Sequence, residues 1–220
     1  MKRVLTKFIK IIAIYLLIMS SVCAEKLMVF DFTDEELVSL EVRKVRGADA
    51  KTAYSIGNNE QGNYLKAVAE NAASGVGKEI KINLDKTPFI NITWKIEKDL
   101  KGIKENTKKG HDFAARVFVI KKTGATPLSN RAINYVFSSN SNVGETWPSP
   151  YTKKSIDSVL ASTKSNLNEW VTVKANVKED FKKFHNLDVE ELSGIAIMAD
   201  TDNSKLTAVS YYQNIFFSSE

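Results

Sequence analysis

Acidic, basic and amide side chains interrupt apolar runs of this sequence at a few places where they could bind a ligand. In the run Asp112–Ile120, strand alternation places Asp112 and Arg116 on one face, with only the small Ala114 between them. Asn134, on the next predicted strand, is placed to line the same floor. A planar guanidinium donor beside a carboxylate acceptor favours a polar ligand-binding groove. An ion pair that only fixes the strand is an equal alternative.

Two aromatic residues of one proline-containing loop, Asn142–Tyr151 (NVGETWPSPY), extend this hypothesis. A stiffened loop presents an aromatic ring at low entropic cost, and a flat ring is suited to stacking on a sugar. The alternative is that Trp147 folds over the edge of the protein as a plug. The predicted ligand-binding residues are Asp112, Arg116, Asn134, Trp147 and Tyr151.

The run Asp200-Thr201-Asp202-Asn203 offers hard oxygen ligands at alternate positions, which suit calcium. We therefore predict a calcium site formed by Asp200, Asp202 and Asn203. It is not an EF-hand loop, because Lys205 stands where that loop requires glycine. The alternative is a turn whose Asx side chains bond to backbone amides.

The sequence offers few residues for other kinds of catalysis. The chain has two histidines and one cysteine, Cys23, and it contains no G-x-S-x-G elbow. We therefore favour a non-catalytic binding module for a glycan or other polar ligand. A glycan hydrolase or lyase that uses two of Asp112, Asp200 and Asp202 is one alternative, and a ligand-free envelope scaffold is another.

The elements that would position these residues are strands. In Phe89–Glu97, four large apolar residues alternate with polar ones, which is typical of a half-buried strand. Trp94 shares the apolar face and is predicted in the core, whereas Trp170 opens a strand at the core or its rim. The further predicted strands are Leu27–Phe32, Asn63–Val68, Lys78–Leu84, Asp112–Ile120, Ala132–Ser139, Trp170–Val177, Gly194–Ala199 and Leu206–Phe217.

This pattern predicts an all-β fold, a two-sheet antiparallel sandwich of jelly-roll type, with one short helix near 178–185. Ser155–Ser162 and Glu35–Arg46 fit a helix nearly as well as a strand. No repeat or linker divides the chain after residue 24, so 25–220 is predicted to be a single domain.

Residues 1–24 carry the features of a cleavable signal peptide. Four basic residues precede an apolar run that is too short to span a bilayer, and Val22-Cys23-Ala24 fits the cleavage pattern. The predicted location is therefore the periplasm or the cell exterior; a lipid anchor on Cys23 is the minority alternative. The leader also carries most of the net charge of +5, since 27 basic and 26 acidic residues follow it. This near-neutrality argues against a nucleic-acid partner; we expect a monomer without membrane attachment after cleavage.

Several strings together resemble the domain-of-unknown-function 3047 family of exported bacterial proteins. They include HDFAARVFVIKK (111–122), RAINYVF (131–137), TWPSPYT (146–152) and GIAIMADTDNS (194–204). The resemblance implies a domain similar to the jelly rolls of galactose-binding-like and carbohydrate-binding modules. It implies no activity. The family pattern has Asp at the position of His111 and Trp at that of Phe137.

Overall fold

The computed structural model describes residues 24–220; the predicted signal peptide, apart from Ala24, lies outside the described residues. The described chain folds into two β-sheets that pack face to face, with three short α-helices and two 3-10 turns at the margins. The helices are α1 (Asp34–Ser39), α2 (Thr163–Asn166) and α3 (Val177–His185). The strands are β1 (Lys26–Met28), β2 (Glu41–Lys44), β3 (Ala53–Asn59), β4 (Gly62–Glu70), β5 (Ala73–Asn83), β6 (Phe89–Lys98), β7 (Ala115–Lys121), β8 (Arg131–Ser138), β9 (Thr146–Ser149), β10 (Thr152–Ser162), β11 (Val171–Asn176), β12 (Glu191–Asp200) and β13 (Thr207–Ser218).

The six-stranded sheet has the order β11-β6-β13-β4-β3, with β1 added along β13. The seven-stranded sheet has the order β2-β5-β12-β7-β8-β10-β9. The predicted jelly-roll sandwich is thereby confirmed. The pairing is antiparallel except between β8 and β10, where Ser155 pairs with Ala132 in a parallel register. The chain between these strands is long enough to return to the same end of the sheet before β10 begins, as a parallel pair requires.

The inner faces of the sheets form one continuous core, as the alternation predicts. Trp94 of β6 is fully buried, and its ring centroid lies 5.5 Å from that of Phe137 on the opposite sheet. We use "outer face" for the side of each sheet that points away from this core. Both ambiguous segments are now defined: Ser155–Ser162 belongs to strand β10, and Glu35–Arg46 contains α1 followed by β2.

The two larger helices begin where side chains cap them. In α1, the Thr33 side chain accepts a hydrogen bond from the backbone N–H of Glu36 (3.1 Å), as N-cap threonines do. In α3, Asn176 accepts from the N–H of Glu179 (3.1 Å), and Asn186 ends the helix in the left-handed conformation. The helix predicted near 178–185 is therefore confirmed. Among residues 24–220, no helix is long and apolar enough to cross a membrane.

Candidate functional site

The predicted ligand residues converge on the outer face of the seven-stranded sheet. Arg116 lies on β7, Asn134 on β8 and Asp200 at the end of β12, all at outward positions. Asp157 of β10 lies beside Asn134 in the parallel register. Together with Asp112, these residues form what we call the polar cluster. All five are at least 95% buried, although no second sheet covers them.

The strand predicted from Asp112 begins only at Ala115, so Asp112 lies in the preceding loop and not on the face of β7. The reason is its hydrogen bonding. One carboxylate oxygen of Asp112 accepts from the side chain of Asn203 (2.8 Å) and from its backbone N–H (3.2 Å). The other oxygen accepts from the N–H of Ser204 (2.6 Å). Asp112 thus ties its own loop to the turn between β12 and β13.

The partner of Arg116 is Asp200 and not Asp112. Arg116 Nη2 lies 2.5 Å from Asp200 Oδ2, and the other carboxylate oxygen of Asp200 accepts from the N–H of Phe113 (3.1 Å). The guanidinium carbon lies 5.3 Å from the ring centroid of Phe113 and 5.1 Å from that of Phe118. The predicted donor and acceptor are therefore turned toward the protein and are not open to a ligand.

A second buried pair completes the cluster. His111 Nε2 lies 2.8 Å from Asp157 Oδ2, while the side-chain amide of Asn134 donates to Asp157 Oδ1 (2.7 Å). The His111 ring thus faces a buried carboxylate. Sequence inspection missed Asp157, because nothing within β10 singles it out from the other polar residues of that strand.

The two aromatic residues of the predicted site cover the cluster. The Trp147 ring stacks on Phe113 with centroids 6.5 Å apart and an interplanar angle of 22°, so Trp147 packs as a plug. Tyr151 is 56% exposed, yet its hydroxyl lies 2.6 Å from Asn203 Oδ1. Its ring meets that of His111 edge to face at 5.5 Å. Trp147 and Tyr151 thus pack against Phe113 and His111 at the edge of the polar cluster.

Burial dominates the electrostatics of this region. It raises the pKa of Asp200 to about 8, against the attraction of Arg116 and with the help of the nearby Asp112 carboxylate. Burial and then Asp112 also raise the pKa of Asp202. Both carboxyl groups ionise less readily than in water, because burial disfavours the charged form.

The acidic residues of the predicted calcium site lie close together, but two of them already accept hydrogen bonds. One carboxylate oxygen from each of Asp112, Asp200 and Asp202 lies within 4.8 Å of the others. The oxygens of Asp112 and Asp200 accept the hydrogen bonds described above, and a guanidinium occupies the position next to Asp200. A calcium ion at this position would compete with these hydrogen bonds and with the Arg116 guanidinium for the oxygens of Asp112 and Asp200.

The same geometry bears on hydrolysis by paired carboxylates. One oxygen of each acid lies within 4.8 Å of the others, which is closer than the separations of roughly 5–9.5 Å that glycosidases use. Asp112 and Asp200 are also at most 1% exposed and each holds backbone N–H groups. A glycosidic oxygen has no path to either acid in this arrangement.

A different set of residues lies open on the opposite side of the molecule. Tyr64 of β4, Tyr211 of β13 and Trp170, which directly precedes β11, occupy outer positions of the six-stranded sheet, and we call them the aromatic platform. The ring centroids of Tyr64 and Tyr211 are 5.5 Å apart, those of Trp170 and Tyr211 are 6.2 Å apart, and those of Tyr64 and Trp170 are 6.1 Å apart. None of the three belongs to the main core cluster.

Local details hold the platform in place. Tyr211 is central and only 8% exposed, whereas Tyr64 and Trp170 on either side are partly exposed. The Tyr64 ring lies directly over Gly57 of β3, where a Cβ atom would come within 2.6 Å of it. The Tyr211 hydroxyl donates to Glu97 (2.5 Å), and burial together with this carboxylate raises the pKa of Tyr211 to about 12.

This platform was not predicted from the sequence, and Trp170 was expected at the core or its rim. The outward positions of Tyr64 and Tyr211 were readable from the alternation within each strand. That β4, β13 and β6 are neighbours, and in which register, was not readable.

The comparisons with known proteins agree with this fold. The family model for "Protein of unknown function (DUF3047)" matches residues 39–216. The chain belongs to this family. The resemblance inferred from its sequence strings is thereby confirmed. A search of curated proteins found no match.

Solved structures similar to this DUF3047 protein include carbohydrate-binding modules and a glycoside hydrolase. The family 30 module of a cellulosomal cellulase of Clostridium thermocellum is 8% identical, with a TM-score of 0.51 over 89% of this chain and 98% of that one. The family 11 module of Clostridium thermocellum, in complex with a β-1,3-1,4-mixed-linked tetrasaccharide, is 13% identical (TM-score 0.47; 90% and 96% covered). Endoglucanase 3 of Trichoderma harzianum, from family GH12, is 6% identical (TM-score 0.42; 90% and 98% covered). At these identities the likeness concerns the fold alone.

Proposed function

We propose that this DUF3047 protein is an exported, monomeric, non-catalytic carbohydrate-binding module whose glycan lies across the aromatic platform. The observation that carries the proposal is the mutual contact of Tyr64, Trp170 and Tyr211 on the outer face of a sheet. Rings in such positions add nothing to the core, and an apolar patch on an outer face is typical of a binding site. Aromatic rings with a polar edge suit a sugar, which combines apolar ring faces with hydroxyl groups.

The surroundings of the platform add the polar part of such a site. Glu97 and Lys95 lie beside Tyr211, and Thr172 is exposed at the end of the same face. The predicted signal peptide supports export, and the modular relatives of similar fold are carbohydrate-binding proteins. The polar cluster on the opposite sheet would then serve to hold the loops around Asn203 and Trp147.

A glycan array with three proteins tests the proposal. We expect the wild type to bind at least one glycan, Trp170→Ala to weaken that binding at least about tenfold, and Trp147→Ala to leave it unchanged. Circular dichroism and melting confirm that each protein is folded. Folded wild type that binds no glycan would refute the proposal. Loss of binding in Trp147→Ala alone would move the site to the residues predicted from the sequence.

A separate measurement tests the proposal that the protein does not cleave the glycan it binds. Incubation of the wild type with the best-bound polysaccharide should release no reducing ends or unsaturated sugars. Release that disappears in Asp200→Asn or Asp112→Asn would instead establish the hydrolase or lyase alternative.

A further inference from the structure

The outer face that carries the platform also carries four lysines, each held against an aromatic ring. Lys95 Nζ lies 4.4 Å from the ring centroid of Tyr211 and 5.6 Å from that of Trp170, and Lys66 Nζ lies 5.5 Å from Tyr211. Farther along the same face, Lys26 lies 4.0 Å from Phe216 and Lys174 lies 5.1 Å from Phe89. The face therefore presents a row of cations next to rings.

None of these four lysines forms an ion pair with a carboxylate of residues 24–220. The nearest acid of the platform, Glu97, accepts the Tyr211 hydroxyl instead. The outer face of the other sheet is different, because Arg43 is paired with Glu41, Lys122 with Glu79 and Arg116 with Asp200. The four lysines beside the aromatic rings of this face thus lack ion-pair partners, whereas these three cations of the other outer face are paired.

We infer that the glycan bound by the platform is acidic, carrying carboxylate or sulfate groups on its sugars. This inference rests on the proposed function and specifies the ligand class of the same site. An ammonium held against a ring by a cation–π contact keeps donors free for an anion. Lys66 and Lys95 stand on either side of Tyr211, so a sugar stacked on Trp170 or Tyr64 would bring its acidic group within their reach.

Aromatic rings beside lysines could also bind single-stranded nucleic acid, which stacks its bases on such rings. The nearly neutral charge of the chain favours a glycan instead. After residue 24 the chain has 27 basic and 26 acidic residues, without the strong positive charge typical of phosphate-backbone binders. The four lysines are few and are spread along one face. That arrangement suits occasional acidic groups better than a phosphate at every unit.

The test compares four ligands: polygalacturonate for carboxylates, dextran sulfate for sulfates, mixed-linkage β-glucan as the neutral glycan, and oligothymidylate. The variant Lys66→Gln/Lys95→Gln removes the two charges of the platform. The control Lys44→Gln/Lys153→Gln removes two exposed charges from the seven-stranded sheet. Lys66→Arg/Lys95→Arg keeps the charge and should restore binding. Affinities are measured by calorimetry at low and high salt.

We expect at least one acidic polysaccharide to bind the wild type at least about tenfold tighter than the neutral glucan, with an affinity that falls as salt rises. The platform glutamine variant should lose this preference, and the control should keep it. Neutral binding that depends on Trp170, without any acidic preference, would overturn the inference and leave the proposed function standing. Equal losses in both glutamine variants would also overturn it. Absence of all glycan binding, or tighter binding of oligothymidylate through the same lysines, would overturn both.

Discussion

On the outer face of the seven-stranded sheet every charged group of the polar cluster has a partner, whereas four lysines on the outer face of the six-stranded sheet have none. The first region is at least 95% buried, and aromatic residues cover it. In the second region the aromatic residues themselves meet the solvent, with Tyr64 and Trp170 partly exposed. Charged groups that are buried and paired on a strand fix the fold, whereas cations without an ion-pair partner on an open face keep their charge available to a ligand.

The strongest test of this contrast removes Arg116, which the comparison assigns to stability and not to binding. Arg116→Met should destabilise the protein by about 1–3 kcal/mol, because the buried Asp200 loses its hydrogen-bond partner, while a pKa of about 8 lets its carboxyl hold a proton. The double variant Arg116→Met/Asp200→Asn should lose less than the sum of the single variants. Urea denaturation measures the free energies of unfolding.

The control for this cycle is Arg43→Met, which breaks an exposed pair with Glu41 and should leave stability unchanged. Glycan affinity should be the same in every folded variant. If Arg116→Met keeps full stability but no longer binds glycan, the assignment of the two regions is reversed.

The pH dependence of stability should report the burial of Asp200. Its pKa is about 8 in the folded protein and about 3.9 in an unfolded chain, so the folded state binds one more proton between these values. Stability from this group is complete below pH 4 and is lost as the pH rises toward 8. Each kcal/mol lost lowers the melting midpoint of a domain of this size by about 2–4 °C.

Burial lowers the pKa of His185, so this group acts in the opposite direction to Asp200. The informative quantity is therefore the difference between wild type and Asp200→Asn in melts at pH 5.5 and 8.5. The wild type should lose more stability than the variant on going to the higher pH. Parallel pH profiles would contradict the raised pKa.

A substitution at Gly57 should separate binding from stability on the open face. A Cβ atom at Gly57 would displace the end of the Tyr64 side chain, which is flexible, so Gly57→Ala should change stability by no more than about 0.5 kcal/mol. Glycan affinity should nevertheless fall several-fold, because the Tyr64 ring leaves its place against Tyr211. Ser55→Ala, two residues earlier on the same face of β3, is the control and should bind normally. Normal binding by Gly57→Ala would remove Tyr64 from the site.

Calcium should have the smallest effect of all. Since hydrogen bonds and Arg116 already engage the oxygens of Asp112 and Asp200, millimolar calcium or a chelator should leave the melting midpoint of the full chain unchanged. An ion that binds only the folded state must raise the midpoint. A clear rise with calcium that Asp202→Asn abolishes would restore the calcium hypothesis drawn from Asp200, Asp202 and Asn203.

The two regions also differ in how much of each could be predicted from the sequence. The period-two alternation of Phe89–Glu97 predicted the strand and the burial of Trp94, because a strand with one face in the core must alternate. The alternation of Asp112–Ile120 likewise placed Arg116 on an outward face, with Asn134 of the next strand beside it. It did not show that Arg116 would pair with Asp200, a residue far away in the chain, since that contact depends on β7 and β12 being neighbours.

Local alternation and family-specific strings lie along the chain, and they predicted nine strands, the all-β sandwich and the family. They did not predict the strands Glu41–Lys44, Ala53–Asn59 and Thr146–Ser149. Exposure of an outward side chain depends on the loops and neighbouring strands that reach over it, and these are set by the tertiary structure. Trp147 packs on Phe113 beside the polar cluster, while Tyr64, Trp170 and Tyr211 became a platform through the order and register of the strands that carry them.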